Sequence, residues 1–116
     1  MPVSDPAVES FNHAVEVTQT GSVAVLYYDI RNNTPAPGLL TDVWLTHSED
    51  AGRTFAGDDH LFGPFDFTLA PESAGRGPFV GDYMGLENTT GDDLVAFYAV
   101  SLAESDSDVI SQLATK

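Results

Sequence analysis

The segment at 48–55 constrains the fold of this chain more than any other stretch, because its residue types specify a turn. Five of its residues stand at fixed spacing: Ser48, Asp50, Gly52, Thr54 and Phe55. Ser and Asp side chains can hydrogen-bond backbone groups inside a turn, and glycine adopts a positive φ without strain. Thr54 and Phe55 then favour the start of a returning strand. The segment therefore predicts a β-hairpin corner that its own side chains hold closed.

Alternating apolar and polar residues, separated by turn residues, predict strands on both sides of this corner. The expected elements follow in order: a strand at 15–17, a turn at 19–22, a strand at 23–28, a loop at 32–40, a strand at 42–47 and an outer strand near 60–62. The strand at 23–28 is apolar on both faces, which suits a strand covered on both sides. Residues 10–62 therefore predict a four-stranded antiparallel meander.

A degraded second copy of this pattern follows, in which Thr20-Gly21 recurs as Thr90-Gly91, 70 positions later. The same offset aligns three more pairs: Val25 with Val95, Tyr27 with Phe97 and Tyr28 with Tyr98. The next strand matches at an offset of 66, where 42–44 aligns with 108–110. Repetition of a four-stranded unit is the sequence signature of a blade array. The chain is thus expected to hold about one complete blade and three strands of another.

The charge balance is strongly acidic and narrows the range of partners. Eighteen acidic residues against four basic ones give a formal net charge of −14. Such a surface repels phosphate backbones and anionic lipid, so we expect neither a nucleic-acid nor a membrane partner. The composition leaves open whether the acidity is a haloadapted surface or that of an ordinary acidic protein.

Length and residue content exclude several other classes. At 116 residues we expect one structural unit, with a first meander over 1–62 and a connection plus partial second meander over 63–116. The chain has no cysteine, and His13, His47 and His60 lack metal-ligand spacing, so we expect no disulfide, metal or cofactor. The first residues lack the basic and apolar regions of a signal peptide, so none is expected in this chain.

An ordered series of short segments carries a family resemblance. The segments are 27–35, 41–45, 48–55, 64–66, 70–71 and 79–86. In this order they resemble the C-terminal blades of secreted bacterial or archaeal exo-α-sialidase-like proteins, over roughly residues 15–112. The corner at 48–55 resembles the Asp-box, or BNR repeat, of that family, although Phe55 stands where the family usually has Trp.

The resemblance implies an all-β fold built from antiparallel four-stranded meander blades of a sialidase-like β-propeller. A six-bladed propeller is about three times as long as this chain, and the Arg-Ile-Pro motif of the family is absent. The resemblance therefore implies a fragment or truncated relative of a secreted glycoside hydrolase, inactive as an isolated chain, and leaves enzymatic activity open. The alternative is a noncatalytic glycan-binding module or a scaffold module for assembly.

The resemblance also places a substrate pocket on the face that carries the loop after 23–28. It implies Asp82 and Tyr83 as catalytic candidates, and Tyr28, Asp29, Arg31 and Arg76 as substrate-binding candidates. Arg31 could hold a carboxylate through a bidentate fork, and a desolvated Asp82 could act as general acid. A tyrosine beside a carboxylate base could act as nucleophile. Equally open is a structural role, in which Asp29 pairs with Arg31 while Tyr28 and Tyr83 pack between blades.

The corner and the open edges have different expected roles. The resemblance places the Asp-box on the face away from the pocket, so the corner residues are expected to be structural. Fewer than two blades leave open strand edges and sheet faces, which are association surfaces. We therefore expect the chain to self-associate through its open blade edges, and a glycan is a candidate partner.

Overall fold

The computed structural model describes residues 2–73, 77–78, 80 and 84–115. It is all-β, and the regular elements of the described residues are nine strands and a 3-10 turn at Phe67–Leu69. The strands are β1 Ser10–Val17, β2 Val23–Asp29, β3 Leu40–Ser48, β4 Ala56–Asp66, β5 Glu72–Ser73, β6 Gly77–Pro78, β7 Gly85–Thr90, β8 Asp93–Val100 and β9 Asp108–Thr115. The described residues include no helix that is long and apolar enough to cross a membrane.

The predicted four-stranded antiparallel meander is confirmed as a sheet of order β1-β2-β3-β4, called the first sheet below. Its outer strand β4 is longer than the segment near 60–62 that the sequence indicates. The pairing of β3 with β4 shifts register at three places, so the alternation of side chains along β4 is interrupted. Periodicity therefore detects only part of this strand.

The second meander has three strands in the order β7-β8-β9, called the second sheet, while β5 and β6 pair separately. Strand β8 repeats β2 at the predicted offset of 70, but the match at β9 is wrong by one residue. Val43 lies opposite Tyr28, and Ile110 lies opposite Tyr98, so the equivalent offset is 67 rather than 66. A slip of one residue turns a side chain to the other face of the sheet. Val109 is accordingly 76% exposed although Val43 is buried.

The two sheets pack face to face around one apolar core. The fully buried side chains come from both sheets and include Leu26, Tyr28, Val43, Leu45, Leu94, Tyr98 and Val100. Tyr28 and Tyr98 are aligned by the internal repeat, and both point inward. Equivalent faces of the two meanders therefore meet, as they would across a two-fold axis. In a ring of like blades, by contrast, each blade would meet its neighbour through opposite faces.

Hydrogen bonds between equivalent turns fix how the sheets are placed. The backbone N–H of Gln19 donates to the carbonyl oxygen of Gly91 at 3.2 Å, and the N–H of Gly91 donates to Gln19 Oε1 at 2.9 Å. Thr18 Oγ1 donates to Asp92 Oδ1 at 2.8 Å. Further into the core, Tyr28 Oη donates to the carbonyl of Ala99 at 2.6 Å. The β1–β2 and β7–β8 turns thus lie side by side at one end of the two sheets.

Candidate functional site

The corner between β3 and β4 is held closed by its own side chains, as its sequence predicts. Ser48 Oγ accepts a hydrogen bond from the N–H of Gly52 at 2.8 Å and donates to Asp50 Oδ1 at 2.7 Å. Asp50 accepts from both the N–H and the hydroxyl of Thr54. These bonds, led by that of the Thr54 hydroxyl, lower the pKa of Asp50 from 3.8 to about 2. Ala51 and Gly52 adopt positive φ values of 61° and 87° to complete the turn.

The corner lies at the same end of the first sheet as the β1–β2 turn. Ser22 Oγ lies 2.9 Å from Glu49 Oε2 and donates to that carboxylate. The loop that follows β2 lies at the opposite end of the sheet, because β2 runs antiparallel to both of its neighbours. The corner is therefore separated from Arg31 by the length of a strand.

A polar group lies where β2 meets this loop, on the face of the first sheet that points away from the second sheet. We call it the Arg31 cluster, and it consists of Tyr27, Asp29, Arg31, Trp44 and Asp58. Arg31 Nε donates to Asp29 Oδ2 at 2.8 Å, and Arg31 Nη2 donates to Asp58 Oδ2 at 3.1 Å. The Trp44 Nε1–H donates to Asp29 Oδ1 at 2.8 Å. The Arg31 guanidinium carbon lies 3.6 Å from the Trp44 ring centroid, within range of a cation–π contact.

Strand register explains why these residues meet. Alternate side chains of a strand point to one face, so Tyr27 and Asp29 share the face that Tyr28 does not. Tyr27 lies opposite Trp44 in the β2–β3 ladder, and Asp29 lies opposite Asp42. The loop after β2 then turns Arg31 back over this face, where its backbone N–H also donates to Asp29 Oδ1 at 3.2 Å.

Burial and charge perturb the titration of two members of the Arg31 cluster. Burial, followed by the nearby charge of Asp58, raises the pKa of Tyr27 to about 12. Burial alone would lower the pKa of Arg31, but its hydrogen bonds and charge interaction with Asp29 raise that pKa above its usual value. Both groups therefore keep one protonation state at neutral pH, with Tyr27 as a phenol and Arg31 as a cation.

A second polar group adjoins the first around the buried carboxylate of Asp42. His60 Nε2 lies 2.7 Å from Asp42 Oδ1, and Asn32 Nδ2 donates to Asp42 Oδ2 at 3.0 Å. The His60 ring centroid is 4.8 Å from that of Trp44. In the sequence His60 has no metal-ligand spacing, and Asp42 and Trp44 are not among the predicted site residues. Asp42 and Trp44 share a face with Asp29 across the β2–β3 ladder, and this alternation is the signal that could have found these two residues.

The structure brings together some of the predicted site residues and separates others. Asp29 and Arg31 pair directly and order the loop, which is the structural alternative stated above for these two residues. Tyr28 is fully buried between the sheets, on the opposite face, and does not join them. The remaining candidates Arg76, Asp82 and Tyr83 lie outside the described residues. Within the described part of the chain, no three His, Cys, Asp or Glu residues are placed to hold a metal ion.

Arg31 is already engaged by protein groups, and this limits what the cluster can do chemically. Its guanidinium binds two carboxylates and lies over an indole ring, and its side chain is 25% exposed. A carboxylate ligand would have to replace Asp58, the more exposed of the two partners, because Asp29 is fully buried. A cleft of about 400 Å³ adjoins Tyr27 and is lined in part by Asn12, His13 and Val25.

No family model, curated protein or solved structure matches this chain. The resemblance to sialidase-like proteins therefore stays a prediction.

Proposed function

We propose that this chain is a fragment or truncated relative of a secreted sialidase-like glycoside hydrolase propeller, without hydrolase activity as an isolated chain. One observation carries the proposal: a self-closed Ser48–Thr54 corner joins the third and fourth strands of a four-stranded meander. A second meander of three strands then follows, and the Thr-Gly turn between its first two strands repeats that of the first meander. Both features belong to the scaffold of that family rather than to its chemistry.

The state of Arg31 supports the absence of activity in the isolated chain. A sialidase pocket, as the resemblance implies it, gathers three arginines around the substrate carboxylate from several blades. The described residues bring one arginine to this face, and its guanidinium is already bonded to Asp29 and Asp58. The cluster is therefore expected to bind a carboxylate weakly until other parts of a propeller are added.

The test of this proposal is hydrolysis of a fluorogenic sialoside by the purified chain. We expect no turnover above a blank reaction. Turnover by the isolated chain would contradict the proposed inactivity. If that turnover were unchanged in Arg31→Ala and Asp82→Ala, the assignment of both residues to a pocket would also fail. A longer gene product that carries the Arg-Ile-Pro motif and further Asp-boxes upstream would support the proposal.

A second candidate function is a noncatalytic module for assembly or glycan binding. The meeting of equivalent faces favours it, because the two sheets then cover each other's cores without further blades. Outer faces and strand edges remain for self-association, with Val109 and Leu113 each more than half exposed. Sedimentation velocity separates the two candidates: closure of a six-bladed ring needs about three copies, whereas a self-covered module gives a monomer or dimer.

A further inference from the structure

The two sheets have four edge strands, and three of these edges are protected. β1 and β7 lie against each other, where the N–H of Asn88 donates to Glu16 Oε2 at 3.0 Å. β4 carries Asp58, Asp59 and Pro64 and pairs with β3 through three register shifts. Charges, proline and bulges are the devices that keep an edge strand from pairing with another chain.

The fourth edge, β9, lacks these devices apart from one charge at its start. It pairs with β8 through eight consecutive residue pairs without a register shift. Its sequence holds no proline and no lysine, and its single charged residue is Asp108 at its start. Val109 and Leu113 point outward from it and are 76% and 80% exposed. In the part of the chain that the structure describes, no other strand lies against the outer side of β9.

Comparison of β9 with its counterpart β3 indicates what is missing. The β2–β3 and β8–β9 ladders make Asp42 equivalent to Val109 and Thr46 equivalent to Leu113. Asp42 and Thr46 are at most 1% exposed, in a strand that β4 flanks. In the second sheet that fourth position is open. An added strand at β9 would therefore complete the same four-stranded arrangement.

We propose that the occupant of this edge is β9 of a second copy of the chain, paired antiparallel across a two-fold axis. Residues opposite each other in an antiparallel pair share a face of the sheet. The outward-pointing residues of the two β9 strands must therefore lie opposite each other, which restricts the register. With Ser111 opposite Ser111, Val109 faces Leu113 twice, and each Asp108 faces Ala114. The strand is self-complementary in this register: apolar residues meet, hydroxyls meet, and no carboxylate meets another.

Charge does not oppose this particular contact, despite the acidity of the whole chain. The two Asp108 residues are six positions apart along the paired strands, which is roughly 20 Å at the rise of a β-strand. That distance is about twice the Debye length at 0.1 M salt. The pairing joins two second sheets into one six-stranded sheet, and we expect the dimer to strengthen as salt screens the remaining repulsion. This inference rests on the assembly part of the proposed function and is independent of any hydrolase chemistry.

A cysteine introduced at Ser111 tests the register directly, since the natural chain has no cysteine. Directly opposed Cα atoms in an antiparallel pair are about 4.5–5.5 Å apart, a separation that a disulfide can bridge. Ser111→Cys should therefore form a disulfide-linked dimer under mild oxidation. Leu113→Cys is the matched control on the same face of the same strand. Its two copies would be four positions apart and should not form a cross-link.

A charge variant tests the same contact without cross-linking. Val109→Lys with Leu113→Lys places lysine opposite lysine twice. The double substitution should raise the Kd of the dimer by at least about tenfold. Val15→Lys with Val17→Lys makes the same change of net charge at exposed valines of β1 and should leave the dimer unchanged. Circular dichroism verifies the fold of each variant, and sedimentation equilibrium measures its Kd.

The outcomes separate this inference from the proposed function. A monomeric wild-type chain at millimolar concentration, equal cross-linking at residues 111 and 113, or a dimer weakened only by the β1 lysines would each overturn the β9 pairing. A three-copy assembly would also overturn it, while supporting ring closure. Sialoside turnover would contradict the proposed inactivity but leave the β9 pairing intact.

Discussion

Asp29 and Asp58 offer a direct test of how burial sets the strength of the Arg31 cluster. Both carboxylates bind the same guanidinium, at 2.8 Å and 3.1 Å, but their side chains are 0% and 35% exposed. Replacing either residue by alanine changes the net charge equally. Any difference between Asp29→Ala and Asp58→Ala therefore reports burial and hydrogen bonding rather than the overall acidity of the chain.

The expected magnitudes follow from the contacts that each change removes. Asp29→Ala leaves the Trp44 indole N–H and the Arg31 guanidinium without their shared acceptor. Loss of one partner of a buried ion pair costs about 3–5 kcal/mol. Because Arg31 is partly exposed, we expect Asp29→Ala to lower the free energy of unfolding by about 3 kcal/mol. Asp58→Ala removes one half-exposed ion pair, for which about 0.5 kcal/mol is expected. The difference in the free energy of unfolding should be at least about 2 kcal/mol.

Urea unfolding provides the assay, followed by circular dichroism and by the fluorescence of Trp44, the single tryptophan of the chain. Equal m-values for wild type and both variants would verify that the change lies in stability and not in compactness. Equal losses from the two substitutions, or a larger loss from Asp58→Ala, would refute the argument that the buried carboxylate organises the cluster.

Three further outcomes are expected from single substitutions. Tyr28→Phe removes the hydroxyl that bonds Ala99 and should lower the free energy of urea unfolding by about 1.5 kcal/mol, so an unchanged midpoint would contradict the role of this contact between the sheets. The pKa of Asp50 is lowered from 3.8 to about 2, so its stabilising contribution is present above pH 3.8 and is lost as pH falls through 2. The stability difference between wild type and Asp50→Asn should therefore shrink between these pH values in urea titrations, and a constant difference would count against the corner bonds. Gly63→Ala would place a Cβ 2.7 Å from Asp42 Oδ1 at a φ of 112°. It should therefore lower the free energy of unfolding by at least about 1 kcal/mol more than Gly21→Ala does, and so lower the thermal midpoint further. Equal midpoints for these two glycine variants would show that the close approach is relieved without cost.

The sequence by itself determined the features that depend on neighbouring residues. The corner at 48–55 was predicted because Ser48, Asp50 and Gly52 bond and turn within a few positions of one another. The order of strands in the first sheet followed from alternating side chains and from the turn residues between them. The match of β2 with β8 followed in the same way, since both strands begin at the same kind of turn.

Only the tertiary structure decided which faces meet and which side chains share a site. The single-residue error at β9 shows the reason. The residue types at 108–110 match those at 42–44, but the register of the β8–β9 ladder turns Val109 outward. The length of β4 was hidden by its register shifts. Asp58 reaches Arg31, and His60 reaches Asp42, from positions far along the chain, through a ladder that no local pattern encodes. Register between distant strands is set by the summed packing of two sheets, and this is why the sequence specified the corner but not the site.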